Sequence, residues 1–210
     1  MIIKAGFCPS KRAAAHPPSK PQLTKTGLHL VEKARKAKAD FGQNASKKFA
    51  GAATVEILRE ALRAEGIDSS RRDVFIRGIG LEIDLVIPHR AANPMLGLVY
   101  EPNEVAAALE VKRSGSFGEK SIQKTRNDFC KLINVGIECA YVSFEERQSY
   151  RWRATKELLG GRECFTLAWH KNTDGPLEPT KDWERLLAYL RNLLALRPSH
   201  AFSQPEALRS

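Results

Sequence analysis

Leu81-Glu82-Ile83-Asp84-Leu85-Val86 and, further along, Leu109-Glu110-Val111-Lys112 are the two stretches that decide how this chain is read. Successive side chains of an extended strand point to opposite faces. Glu82 and Asp84 then share one face while Leu81, Ile83 and Leu85 take the other, and Glu110 and Lys112 share a face at the end of an otherwise apolar run, Val105 to Lys112. Ionised groups beside a core are unfavourable unless they pair or bind a metal. Four of them at the ends of two candidate neighbouring strands point to one shared polar site. Two carboxylates from adjacent strands, with a backbone carbonyl between them, offer hard oxygen ligands to Mg²⁺, which keeps several waters and completes its shell with substrate phosphate. A metal held there lowers the pKa of a bound water and offsets charge developing on a phosphorane. A lysine beside it orients or deprotonates that water and neutralises the same charge.

Outward from these strands the pattern alternates. Val55, Leu58, Ala61 and Leu62 fall on one helical face, and Gly66 supplies a stop, so a first core helix runs from Thr54. Val74 to Arg77 and Leu81 to Ile87 read as two strands joined by the tight link Gly78-Ile79-Gly80. Residues 88 to 104 hold three prolines and two asparagines around the apolar run Leu96 to Tyr100, and read as an insertion with one extra strand. The Ala-rich run Val105 to Lys112 suits a central strand packed on both faces. Ile122, Phe129, Leu132 and Ile133 mark a helix ending near Gly136. After it come a strand at Glu138 to Phe144, a helix at Ser149 to Leu159, a strand at Cys164 to Trp169 and a leucine-striped helix at Trp183 to Leu196. This order predicts a three-layer α/β domain with a central mixed sheet flanked by helices.

With the elements in place, Asp84 followed by Glu110-Val111-Lys112 resembles the PD-(D/E)xK nuclease superfamily of restriction endonucleases, Holliday-junction resolvases and repair nucleases. The resemblance covers about Thr54 to Phe144. It implies a restriction-endonuclease-like core, with Asp84, Glu110 and the Val111 carbonyl as metal ligands and Lys112 as the catalytic lysine. The cofactor it implies is Mg²⁺, with Mn²⁺ as a substitute, and the activity is DNA endonuclease. The same fold also serves as a catalytically inactive nucleic-acid-binding module, the alternative reading. Two features depart from the pattern: Ile83 stands where proline is common, and the 26 residues from Asp84 to Glu110 require residues 88 to 104 to loop out.

Relatives carry a further acid on the first core helix. Here Glu56 and Glu60 stand nearly opposite the apolar stripe, which favours a solvated pair; Glu56 is retained as a secondary candidate. Glu82 either joins the site or pairs with Arg77 across the hairpin. Gln123, on the helix after the ExK strand, resembles a glutamine that some branches aim at the site. Arg113, Lys120, Lys124 and Arg126 form a basic cluster suited to a DNA backbone or, equally, to a solvated helix face. In Tyr150-Arg151-Trp152-Arg153, Trp152 is a stacking surface or a core residue.

The remaining features bound the protein's surroundings. Of its 34 Lys/Arg, eleven lie in residues 1 to 50 against only Glu32 and Asp40, whereas the other 160 residues are nearly neutral. Residues 1 to 50 thus read as a basic arm for a polyanion, DNA first and RNA second, disordered over 9 to 26 and carrying a short peripheral helix at 27 to 41. Residues 51 to 196 form the nuclease-like domain and 197 to 210 a flexible tail. Four scattered cysteines, Cys8, Cys130, Cys139 and Cys164, suggest neither zinc nor a disulfide framework. No apolar stretch is long enough for a membrane span and no signal-peptide core is present, so a cytoplasmic location is expected. Cutting both DNA strands often implies a homodimer, while the sequence leaves the oligomeric state open.

Overall fold

A computed structural model describes residues 20–40, 47–70, 72–90, 92–114, 119–147, 149–171 and 176–195. Five helices, α1 (Lys20–Asp40), α2 (Lys47–Ala64), α3 (Glu119–Ile133), α4 (Tyr150–Leu158) and α5 (Asp182–Ala195), surround two sheets among the described residues. The larger sheet has the order β3-β5-β6-β7-β8, formed by Leu85–Pro88, Val105–Ser114, Glu138–Arg147, Glu163–His170 and Leu177–Pro179. The middle pairs β5·β6 and β6·β7 are parallel and the two edge pairs antiparallel. A smaller sheet, β2-β1-β4, comprises Glu82–Ile83, Val74–Ile76 and Val99–Tyr100.

The alternation of β5 builds both cores at once. Ala107, Leu109 and Val111 face one cluster with α1, α2 and α5, while Ala108, and Val105 beyond the register shift at Ile87/Pro88, face a second with α3, α4 and the small sheet. The result is the expected three-layer α/β architecture, with a mixed sheet between helices. Two glycines with positive φ, Gly78 (78°) and Gly80 (66°), turn the chain between β1 and β2, a conformation that a Cβ disfavours.

Two expectations change. The run Leu81 to Ile87 is not one strand: it breaks at Asp84, with β2 in the small sheet and β3 in the large one. The basic arm is not peripheral over its described part, since α1 starts at Lys20 with Pro21 in its first turn, where a missing N–H leaves no helical bond unmade. Leu30, Val31 and Ala34 are buried in the same cluster as Leu58, Trp183 and Leu187. Buried Gly27 lets α1 lie close, because a Cβ there would stand 3.3 Å from the Trp183 Cβ. Eight of the eleven early cations therefore stand on α1 and α2. The expectations for residues 1–19 and 197–210 fall outside the described residues.

Candidate active site

The break at Asp84 is what forms the site. Leaving β2 and entering β3, the chain turns the Asp84 side chain toward β5, where its Oδ2 accepts the Val111 backbone N–H at 2.9 Å. In the antiparallel ladder Leu85 pairs with Leu109, so Asp84 arrives level with Glu110. The Lys112 ammonium bridges the two carboxylates, 2.5 Å from Glu110 Oε1 and 3.3 Å from Asp84 Oδ2. These oxygens are therefore no more than about 5.8 Å apart. Each of the three side chains is between 26% and 29% exposed, enough for a ligand to reach and too little for water to screen the charges fully.

The electrostatics follow from that geometry. Burial pushes the Glu110 carboxyl above its ordinary value, and the neighbouring Asp84 charge adds to this against the pull of Lys112 and Lys124. Burial alone would lower Lys112, but Glu110 and Asp84 outweigh it and raise its pKa, so its ammonium stays charged. The site is two carboxylates around one cation-sized space that an ammonium now fills. That donor set suits a hard divalent ion which takes its other ligands from water and phosphate. Among the described residues no cluster of three or more His, Cys, Asp or Glu side chains is arranged to hold a metal, so a cation here rests on this pair and on backbone oxygen.

The other candidates part company. Glu56 forms an ion pair with Arg59 at 2.8 Å on α2, and Glu60 pairs with Lys33 of α1 at 2.9 Å, so neither turns to the site. Glu82 is exposed on β2, opposite Phe75, and Arg77 pairs with Glu101 instead. Gln123 is exposed on α3 and its amide donates to Asn127 Oδ1 at 3.1 Å. Lys120, Gln123, Lys124 and Lys131 line the outer face of α3, away from Ile122, Phe129 and Leu132; the charge of Lys124 still reaches Glu110. Arg126, also exposed, is offset around the helix from those lysines. Arg113 is committed elsewhere, in an ion pair with Glu145, which is 3% exposed and also meets Arg35 Nε of α1 at 2.7 Å and His170 Nε2 at 3.3 Å. Trp152 is core, packed between Tyr141 and Trp169. Cys130, Cys139 and Cys164 are free thiols.

Three neighbours on β6 were not legible in the sequence. Glu110 pairs in register with Tyr141 and Lys112 with Ser143, which places both side chains beside the site. The Ser143 hydroxyl donates to Glu146 at 2.6 Å. Tyr141, Ser143 and Glu146 are all buried.

No family model and no curated protein matches the chain. Solved structures do. The NucC protein of Escherichia coli MS115-1 in its cAAA-bound form superposes with a TM-score of 0.60 at 13% identity, covering 86% of this chain and 93% of that one. The Pseudomonas aeruginosa ATCC27853 NucC in the same form gives 0.59 at 11% identity, with 85% and 92% covered. The fold is thus the restriction-endonuclease-like α/β fold, shared over nearly the whole of those chains. No helix among the described residues is long and apolar enough to cross a membrane.

Proposed function

We propose that this protein is a Mg²⁺-dependent DNA endonuclease whose site is Asp84, Glu110 and Lys112. One observation carries the reading: on a restriction-endonuclease-like fold, the carboxylates of Asp84, at the break between β2 and β3, and Glu110, on β5, converge on one cation-sized space beside a lysine. Asp84, Glu110 and the Val111 carbonyl would hold the ion, Mg²⁺ or Mn²⁺, which supplies an activated water and a counter-charge to phosphate. With a cation held by its carboxylate partners, the Lys112 ammonium would be free to turn toward the phosphate, where its charge would stabilise the developing phosphorane and its N–H groups would orient the attacking water. Lys120 and Lys124 on α3 provide the nearby positive face for the DNA backbone. Cutting both strands takes two copies of this site.

The test is incubation of supercoiled plasmid with the purified protein in Mg²⁺, Mn²⁺ or EDTA. Nicked and linear products are expected with either metal and not with EDTA, and Lys112→Ala should slow cleavage by roughly 100-fold or more while leaving DNA affinity within about threefold. A gel shift with no cleavage under any metal would assign the chain to the binding-module class.

A further inference from the structure

Strict alternation along β6 would send Tyr141, Ser143 and Glu145 to the face of Lys112 and would send Glu146 to the face of α1. The structure reverses the last two. The ladders pair Ser143 with Lys112 and Thr166, then Glu145 with Ser114 and Ala168, and skip Phe144 on both sides. Beyond that lapse Glu145 meets Arg35 of α1, and Glu146 comes round to accept the Ser143 hydroxyl. As with a β-bulge, a local irregularity re-aims the side chains that follow it, here by placing a buried carboxylate next to the candidate site.

We propose that Tyr141, backed by Glu146 and Ser143, is a positioning residue that holds the Glu110 carboxylate in place when Lys112 leaves it. The inference rests on the endonuclease reading above. Tyr141 is 2% exposed, is the register partner of Glu110, and has its ring fixed against Trp152 at a centroid distance of 6.0 Å. Burial, then the charges of Glu146 and Glu110, push its hydroxyl far above the ordinary phenol range, so it remains a neutral donor at any working pH. The need for such a donor follows from the geometry. In the resting arrangement the Lys112 ammonium holds Glu110 at 2.5 Å, and a lysine that turns to phosphate gives up that contact. A phenol O–H can then hold the carboxylate without cancelling the charge that binds a cation, as partners behind metal ligands commonly do. Glu146, anchored by the Ser143 hydroxyl, lies near enough for its charge to act on the phenol.

The test pairs metal binding with cleavage. Mn²⁺ affinity of the metal-free protein is measured by titration calorimetry, and plasmid cleavage in Mg²⁺ is followed in parallel, for wild type, Tyr141→Phe, Glu146→Gln and the double variant. Phenylalanine keeps the ring packing, and glutamine keeps the shape at 146. Each single variant should weaken Mn²⁺ binding and slow cleavage by roughly 10-fold with DNA affinity unchanged. The double variant should be no worse than the more affected single, since both changes remove one support. Wild-type Mn²⁺ affinity and rate in Tyr141→Phe would overturn the proposal. So would multiplicative defects, or a lowered melting temperature with an unmoved Mn²⁺ titration, which marks a merely structural role. If wild type itself neither binds Mn²⁺ nor cuts DNA, the endonuclease reading falls; binding and cutting that ignore Tyr141 sink only this inference.

Discussion

Removing residues 1 to 40 should abolish cooperative folding, although this is the most basic part of the chain. α1 buries Leu30 to 6% and Val31 to 0% exposure against Trp183, Leu186 and Leu58, and Ala34 to 3%. Burying a Leu or Val side chain stabilises by about 1.5–3 kcal/mol, so the first two alone contribute about 3–6 kcal/mol. That is comparable with the whole net stability of an ordinary domain, about 5–15 kcal/mol. Deletion also uncovers Trp183 and strips Arg35 from the buried Glu145. The milder Leu30→Ala should lose roughly 2–4 kcal/mol. For a chain of this size that is a fall in Tm of about 5–15 °C. Circular dichroism melts of full-length protein, Leu30→Ala and the truncated chain decide the matter. A truncated protein that melts cooperatively within two or three degrees of wild type would refute the reasoning and restore α1 to a peripheral arm.

Four further outcomes follow from the same structure. Deleting only residues 1 to 19 removes Lys4, Lys11 and Arg12 and should lower the salt slope of DNA binding by no more than about 2.7, measured by anisotropy at several salt concentrations. Cleavage should fall on acidification at a pH above the ordinary glutamate value of 4.5, because burial and Asp84 raise Glu110 and only its ionised form can hold a cation. Stability without metal runs the other way: the contribution of Glu110 is fully present below its unfolded pKa and is lost as pH rises through the raised folded value, so the melting advantage of Glu110→Gln over wild type should grow with pH across that window. Glu145→Ala should cost about 3–5 kcal/mol in denaturant unfolding, since it leaves Arg113 and His170 without a shared buried carboxylate.

The strand and helix order, the three layers and the meeting of Asp84, Glu110 and Lys112 were legible because charges at the end of an apolar run stand out against period-two alternation. The strand break at Asp84 was not, because apolar residues on either side suit either sheet and only the tertiary pairing assigns β2 and β3 to different ones. β8, three residues in Leu177-Glu178-Pro179, is too short to show a period. The packing of α1 escaped for a subtler reason. Its apolar stripe is thin, and its burial comes from close approach across Gly27, a property of the partner surface at Trp183 that no count of hydrophobic residues along α1 contains. Arg113 looked like a DNA contact since basic residues beside an active strand usually are, but its partner, Glu145, lies 32 residues away on a neighbouring strand.

The lapse at Phe144 ties these misses together. Two consecutive glutamates of β6 end on opposite faces of the same sheet, Glu145 toward α1 and Glu146 toward the site. Each is buried, and a buried carboxylate without donors is strongly unfavourable, so each demands a built environment: two guanidinium groups and an imidazole for Glu145, and the Ser143 hydroxyl with the Tyr141 phenol beside it for Glu146. The strand that carries Lys112 is held by both arrangements, by Arg113 on one face and through the Glu110–Tyr141 and Lys112–Ser143 pairs on the other. Loosening α1 therefore disturbs more than a remote helix. It releases Arg35 from the carboxylate that fixes Arg113, one residue from Lys112, so a variant such as Arg35→Ala should lower cleavage more than its modest loss of stability accounts for, and equal losses in the two would separate the α1 face from the chemistry.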